Sequence, residues 1–237
     1  MEYIILASIF ILAGIVPELT GFGVATVSMA LLPFVLPLPV AIPLVAIISM
    51  ITTGIVSFQV KTRGLWKYIL PIVGGSAIGV PLGMLFLNWI NTNLLQTILA
   101  VFLMAYALYG LLIKHAFLPS NHYRSGIVGL VAGFFSASFN IHGPLVGAYV
   151  SRNKRLNGDG TKDVIATYMF ISGIFTVAGH TIAGRVTEDV LFPLLLAVPA
   201  LCVGLFIGSK IFEKLHIEIV RKIIYIFIFF AGLALFL

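Results

Sequence analysis

The sequence predicts an all-α integral membrane protein. Hydrophobic residues make up 60% of its 237 residues, charged residues make up 9%, and the mean hydropathy is +1.14. Soluble domains carry about 25% charged residues, so a chain this poor in charge cannot cover its own surface in water. Apolar runs of about 20 residues, the length that crosses a bilayer core, follow one another closely and leave no room for a separate soluble domain.

The net charge of +6 is explained by a membrane rather than by nucleic acid. The basic residues stand in short loops between apolar runs, where Lys and Arg mark the cytoplasmic side of a membrane protein. Basic patches with interleaved aromatic residues, which nucleic-acid-binding proteins use, are missing from the sequence. The composition therefore predicts the lipid bilayer as a partner and no nucleic acid.

Six apolar runs are long enough to cross the bilayer as helices. They cover residues 40–60, 68–88, 94–113, 164–183, 190–211 and 220–237. The single cysteine, Cys202, lies inside one of these runs and is predicted to be a small core residue.

Two further apolar stretches, 3–36 and 125–152, are interrupted by residues 17–23 and 139–144. Each interruption leaves arms of about 15 residues, which reach about 22 Å as helix and fall short of the ~30 Å bilayer core. Such a stretch is either a re-entrant hairpin, which enters and leaves on one side of the membrane, or one broken helix that crosses once.

The charges of the loops favour the hairpin. Loops 61–67, 114–124, 152–163 and 210–222 are basic, whereas loops 88–93 and 185–189 carry no net positive charge. If the basic loops are cytoplasmic, the second interrupted stretch starts and ends inside, and by analogy the first starts and ends outside. The predicted fold is therefore two inverted-topology repeats, 1–115 and 116–237, each a broken or re-entrant helical hairpin followed by three transmembrane helices.

Small residues recur at intervals of four in the same run of each half. They are Gly75, Gly79 and Gly83 in the first half, and Ala200, Gly204 and Gly208 in the second. This spacing places small residues on one helix face, where the backbones of two helices approach closely in lipid. The recurrence supports an internal repeat.

The two interruptions are the candidate substrate site. Irregular backbone at membrane depth must line a protein-enclosed or wet cavity, and two interruptions in corresponding positions mark a transport site. Helices restarting near Gly23 and at Pro144 would point their N-termini, with free N–H groups and a positive dipole end, at an anion. The predicted substrate-binding residues are Thr20, Gly21, Phe22, Gly23, Asn140, Ile141, His142, Gly143 and Pro144.

Three titratable residues are candidates for proton coupling. Glu18 is a carboxylate expected at membrane depth, where such groups are costly and usually functional. His142 titrates near neutral pH in water, and His180 lies near the predicted outer end of its span. The alternatives are that Glu18 lies nearer the surface and that His142 only satisfies the turn, while Arg185 is expected as a solvated loop charge.

The chain resembles the TauE/SafE family of sulfite exporters over most of its length. The resemblance is carried by the glycine-containing breaks at 21–23 and 142–144 and by the glycines spaced four residues apart. It implies export or uptake of sulfite, organic sulfonates or other small anions. Asn140 and His142 stand where the family's pattern has glycine.

The functional hypothesis is a secondary-active transporter of small anions in the cell inner membrane, working by alternating access with proton coupling. The alternatives are an intramembrane metal-dependent enzyme that uses Glu18, His142 and His180, and a membrane scaffold without flux. The phosphate-binding pattern G-x-x-x-x-G-K-[ST] and the zinc pattern H-E-x-x-H do not occur. No cofactor, metal or enzymatic activity is expected; a homodimer is compatible with the sequence, and the oligomeric state is open.

Overall fold

The computed structural model describes residues 2–16, 23–60, 64–112, 122–153, 155–156, 158–212 and 217–237. Within these ranges the chain forms α-helices and no β-strand, which confirms the all-α part of the predicted fold class. The helices are α1 (Glu2–Ile15), α2 (Gly23–Leu31), α3 (Leu38–Ser57), α4 (Trp66–Trp89), α5 (Thr92–Leu112), α6 (His122–Phe139), α7 (Gly143–Val150), α8 (Gly158–Ile182), α9 (Glu188–Phe212) and α10 (Ile217–Phe236). A 3-10 turn, Leu32–Phe34, follows α2.

Each of the six predicted spans is a helix within a few residues of its expected bounds. Helices α3, α4, α5, α8 and α9 are long and apolar enough to cross a membrane, and α10 has 20 residues. Helix α4 begins at Trp66 and ends at Trp89, and both tryptophans are exposed. Tryptophan prefers the two interfaces of a bilayer, so this pair fits a helix that runs from one interface to the other.

The helices divide into two compact units. Unit 1 contains residues 1–44, 90–115 and 187–237, and unit 2 contains residues 45–89 and 116–186. Each unit contains segments from both halves of the chain. The units therefore do not coincide with the predicted repeats 1–115 and 116–237, which stay a prediction.

In unit 1, α1 packs on α9 and α5 packs on α10. A Cβ added at Gly14 would lie 2.7 Å from the carbonyl oxygen of Leu201, and one added at Gly204 would overlap the carbonyl of Ile11. Glycine is required at both positions because the neighbouring backbone occupies the space of a side chain. The α9 face that carries Gly204 therefore meets α1, and the prediction that Cys202 is a core residue is wrong, because Cys202 lies off this face and is exposed.

In unit 2, α4 packs along α6 through the predicted glycines. A Cβ at Gly75, Gly79 or Gly83 would overlap or crowd the backbone carbonyl of Gly126, Leu130 or Phe134, respectively. The contact moves four residues along α4 as it moves four residues along α6, so the two helices run in the same direction. This confirms the prediction that the four-residue glycine spacing marks a close helix contact.

The contacts also give the directions of the two helix pairs in unit 1. Helices α1 and α9 are parallel, because Ile11 meets Gly204 and Ile15 meets Gly208. Helices α5 and α10 are antiparallel, with Gln96 donating from Nε2 to the Leu235 carbonyl (3.2 Å) near one end of the pair.

Candidate functional site

The second interruption lies between α6, which ends at Phe139, and α7, which begins at Gly143. Helix α7 starts one residue earlier than the predicted Pro144, which takes the second helical position. Asn140 turns the chain with a φ of 57° and donates its backbone N–H to the Ser136 carbonyl (3.0 Å). This left-handed conformation favours glycine and, among other residues, asparagine, so Asn140 supplies a backbone shape that most other residues would resist.

Helices α6 and α7 fold back on each other as a hairpin. The hydroxyl groups of Ser125, near the start of α6, and Tyr149, near the end of α7, lie 2.8 Å apart and are hydrogen-bonded. In one continuous broken helix these residues would be separated by about 35 Å, at a rise of 1.5 Å per residue. The alternative of a single broken helix is therefore excluded for this stretch.

The tip of this hairpin reaches the middle of two helices of spanning length. The His142 ring packs edge-on against the Tyr168 ring, with centroids 5.9 Å apart. Tyr168 lies near the middle of α8, and its hydroxyl is 2.8 Å from the Ser76 Oγ near the middle of α4. Both α4 and α8 are candidate membrane spans, so the second interruption is far from either end of the helices around it.

His142 is buried with both ring nitrogens unpartnered among the described residues. Its exposed fraction is 3%, and neither Nδ1 nor Nε2 has a hydrogen-bond partner there. Its carbonyl accepts the Val146 N–H (3.2 Å), but its side chain makes no capping hydrogen bond. The alternative that the imidazole satisfies the turn is thus not what the geometry shows. A buried polar group without a partner is costly, which makes His142 the leading candidate to meet a ligand.

Three other predicted residues of this break, Asn140, Ile141 and Gly143, are also buried. Ile141 is fully buried, and Asn140 and Gly143 are buried beside it. The hydroxyl of Ser136 is hydrogen-bonded to that of Thr176 on α8 (2.8 Å). The Ser138 hydroxyl has no partner within the described part of the chain. Ser136 thus links α6 to α8.

His180 lies in the last turn of α8, near the end of its span as predicted, and is fully buried. The Ala137 backbone comes close to its ring, but both ring nitrogens lack a partner with hydrogen-bond geometry among the residues described. His180 therefore shares with His142 the property that singles out a candidate polar site. Both histidines belong to unit 2.

Helix α8 ends in a turn that fixes Arg185. Gly184 has a φ of 68°, its N–H bonds to the Thr181 carbonyl (3.0 Å), and the Arg185 N–H bonds to the His180 carbonyl (2.9 Å). This pair of hydrogen bonds with glycine in the left-handed region is the Schellman C-cap.

The Arg185 side chain is held at the end of α4 rather than free in solvent, which corrects the expectation of a solvated loop charge. It donates to the Met84 carbonyl (3.4 Å) and to the Asn88 Oδ1. Partial burial lowers the pKa of the Arg185 guanidinium from its ordinary value.

The residues predicted for the first interruption fall mostly outside the described part of the chain. These are Glu18, Thr20, Gly21 and Phe22. Gly23 is the first residue of α2, as predicted for a helix restarting near it. The roles of these residues stay predictions.

Sequence reasoning missed four polar residues around the second interruption. They are Ser76 on α4 and Tyr168, Ser172 and Thr176 on α8. The available signal was the spacing of Tyr168, Ser172, Thr176 and His180, which recur every four residues within an apolar run. Because a spanning helix gains nothing from hydroxyl groups facing lipid, such a pattern indicates a buried polar face.

These features define a class: a helical membrane protein with an interrupted helix and a buried polar site at mid-helix. Within the described residues, no group of three His, Cys, Asp or Glu side chains could hold a metal ion. A family model described as Sulfite exporter TauE/SafE matches residues 6–235. The chain therefore belongs to the TauE/SafE sulfite exporter family and is a multi-pass membrane transport protein. No curated protein and no solved structure matches the chain.

Proposed function

We propose that this protein is a secondary-active transporter that moves small anions of the sulfite and sulfonate class across the cytoplasmic membrane. The observation that carries the proposal is His142: a buried imidazole, unpartnered among the described residues, at the N-terminus of a helix that starts near the middle of two candidate spans. Family membership supports the solute class.

The electrostatics of the second interruption favour an anion over a cation. The first N–H groups of α7 have no carbonyl partner within the helix, and the helix dipole adds partial positive charge there. Residues 122–150 contain no Asp or Glu, and Arg124 is the only Arg or Lys among them. A negative solute at Gly143 would thus meet amide and imidazole donors and no carboxylate of this hairpin.

Alternating access is proposed to use the two sequence repeats, 1–115 and 116–237, each an interrupted stretch followed by three long helices. The first interruption, with Thr20, Gly21, Phe22 and Gly23, is proposed as the counterpart of the second, on the strength of its sequence. Inverted repeats with interrupted helices are the recurrent design of secondary transporters.

Proton coupling is proposed to involve Glu18, His142 and His180. A carboxylate beside an anion would repel it unless protonated, so protonation of Glu18 would link proton and anion movement. The Glu18→Gln variant should flatten the pH dependence of flux, whereas Glu188→Gln, at an exposed position, should leave it unchanged. A wild-type pH profile in Glu18→Gln would remove Glu18 from the coupling mechanism.

The test of the function is a flux panel with purified protein in liposomes. Sulfite, sulfonates, sulfate and carboxylates are compared, each with and without a pH gradient. We expect sulfite or a sulfonate to be moved fastest, and His142→Leu to reduce that flux about tenfold or more, the loss of roughly one charge-assisted hydrogen bond. His142→Gln retains a donor and should keep more activity. A wild-type protein that moves none of these anions would contradict the proposal.

A further inference from the structure

We propose that one face of α8 is a water-bridged proton path that leads to His142. The path consists of Tyr168, Ser172, Thr176 and His180, here called the α8 polar seam. The inference rests on the proposed transport function and extends it, because it names the route by which a proton reaches the anion site.

The geometry of the α8 polar seam is that of a continuous line. Residues four apart lie on the same helix face, one above the other. All four side chains are fully buried. From Tyr168 to His180 the seam covers about 18 Å of the helix axis, more than half of a bilayer core. No lipid-facing or solvent-facing role accounts for polar groups in this arrangement.

Neighbouring helices add polar groups at defined points of the seam. Ser76 donates from Oγ to the Gly129 carbonyl (2.9 Å), so its hydroxyl proton is engaged and the Tyr168 hydroxyl must donate to Ser76. Thr176 pairs with Ser136 of α6. The ring of His142 lies against that of Tyr168, so one end of the seam adjoins the proposed anion site.

Several atoms along the seam lack a protein partner within the described residues. These are the Ser172 Oγ and both ring nitrogens of His180, with the Ser138 Oγ and both His142 nitrogens beside the seam. The Ser172 hydroxyl approaches the Tyr168 hydroxyl and the His180 ring approaches the Ala137 backbone, but neither contact has hydrogen-bond geometry. One unsatisfied hydroxyl would be a minor cost, but a series of them in one buried row is too costly to persist. Ordered water is the usual partner of such groups in proteins.

The spacing suits water. Side chains four residues apart on a helix have Cβ atoms about 5–6 Å apart, which is about two hydrogen-bond lengths. One water molecule can therefore bridge each step. Hydroxyl groups, water and neutral imidazole all donate and accept hydrogen bonds, which is the property that a proton path requires.

The charged and titratable groups around the seam are few. Arg185 lies beyond the His180 end, and its charge acts on His180. His142 faces Tyr168, while Tyr68 and Tyr149 pack in the same apolar cluster as Tyr168. Helix α3 contains no charged or titratable residue, α4 contains none after Tyr68, and α6 contains none after Arg124.

The experiment compares Thr176→Val with Thr181→Val in liposomes. Both changes replace a hydroxyl with a methyl on α8, but Thr181 is exposed and its hydroxyl donates to the Val177 carbonyl (2.9 Å) of its own helix. Two rates are measured for each protein: sulfite uptake driven by a pH gradient, and sulfite counterflow without a gradient. Counterflow needs anion binding and alternation but no net proton movement.

We expect Thr176→Val to lose about tenfold in gradient-driven uptake, of the order expected for one broken hydrogen-bonded link, while its counterflow stays at the wild-type rate. Thr181→Val should match the wild type in both rates. The proton path would be overturned if Thr176→Val kept the wild-type rate of gradient-driven uptake, or if it lost gradient-driven uptake and counterflow equally. Ser172→Ala carries the same expectation and is used if Thr176→Val is not recovered as monodisperse protein.

Failure of the transport function would look different. A wild-type protein without counterflow would contradict anion transport itself. Wild-type counterflow that does not respond to a pH gradient would overturn the α8 polar seam as a proton path and leave anion transport intact.

Discussion

In both compact units, pairs of helices pack closely through glycine, but the units differ in how many polar side chains they bury without a partner among the described residues. In unit 1, α1 and α9 meet through Gly14 and Gly204, and in unit 2, α4 and α6 meet through Gly75 and Gly79. In all four cases a neighbouring backbone occupies the space of a side chain. Close approach through small residues is how helices associate in lipid, where the hydrophobic effect gives no net attraction between them.

The buried polar atoms are distributed very unevenly between the units. Among the described residues, unpartnered buried side-chain atoms occur in unit 1 at Ser28 alone. In unit 2 they occur at Ser49, Ser138, His142, Thr167, Ser172 and His180. Glycine packing is therefore a general feature of this fold, whereas the buried polar groups of unit 2 mark a candidate binding site.

The largest effect is expected at Gly143, where unit 2 would hold its ligand. Gly143→Val should abolish anion transport, by about 100-fold or more, because a side chain at the first position of α7 blocks approach to the backbone N–H groups. Membrane insertion should be retained. The measurement is liposome flux alongside the yield of membrane-inserted protein.

The control for this variant lies on the same helix. At Gly147 an added Cβ would meet only the Ile165 Cδ1, at 3.8 Å, which is ordinary contact, so Gly147→Val should transport normally. Normal flux in Gly143→Val would show that the solute does not approach this backbone.

The next effect tests whether the glycine packing is equivalent in the two units. Gly79→Ala and Gly204→Ala should each destabilise the fold by about 3 kcal/mol, the upper end for overpacking, because the new Cβ meets backbone that cannot move aside. Gly74→Ala should instead stabilise by up to about 1 kcal/mol, since a Cβ at Gly74 meets nothing within 4 Å and alanine favours helix.

The free energy of unfolding of all three variants is measured in the same mixed micelles. If the free energy of unfolding falls strongly in Gly79→Ala but not in Gly204→Ala, the two helix pairs do not depend on glycine to the same extent.

A smaller effect is expected at Asn140. Asn140→Gly should change stability by no more than about 0.5 kcal/mol, whereas Asn140→Val should cost about 2 kcal/mol, because a β-branched residue is strained at positive φ. Thermal unfolding of the two variants checks this. Equal stability would mean that backbone conformation at Asn140 is not constrained by the hairpin.

The smallest effect is expected at Gly184. Gly184→Ala should cost about 1 kcal/mol, because alanine resists the left-handed C-cap conformation. Unfolding measurements in detergent should detect it, with Gly74→Ala as the matched glycine change at an unstrained position. A stabilised Gly184→Ala would refute the C-cap that fixes Arg185.

Much of this architecture follows from local patterns in the sequence. The five candidate membrane spans, the interruption around Asn140 and the glycine contact of α4 were predictable because hydropathy, turn residues and small-residue spacing act over a few neighbouring residues. The hairpin geometry also followed from segment length and loop charge, and the Ser125–Tyr149 hydrogen bond confirms it for α6 and α7.

The polar surroundings of His142 were not predictable in the same way. Tyr168 and Ser76 are 92 residues apart in sequence, and nothing local indicates that they meet. Likewise, the burial of His180 depends on the way α8 packs against its neighbours, and its position near the end of an apolar run does not indicate it. The exposure of Cys202 depended on which α9 face meets α1, and hydropathy alone does not determine that face.

The most direct test of the central claim is equilibrium binding of sulfite to purified protein in detergent, comparing the wild type with His142→Leu and with the Thr181→Val control. If the anion binds at the start of α7, the wild type and Thr181→Val will bind with the same Kd, and the Kd of His142→Leu will be about tenfold higher or more, a loss of about 1.4 kcal/mol. An unchanged Kd in folded His142→Leu would contradict the account.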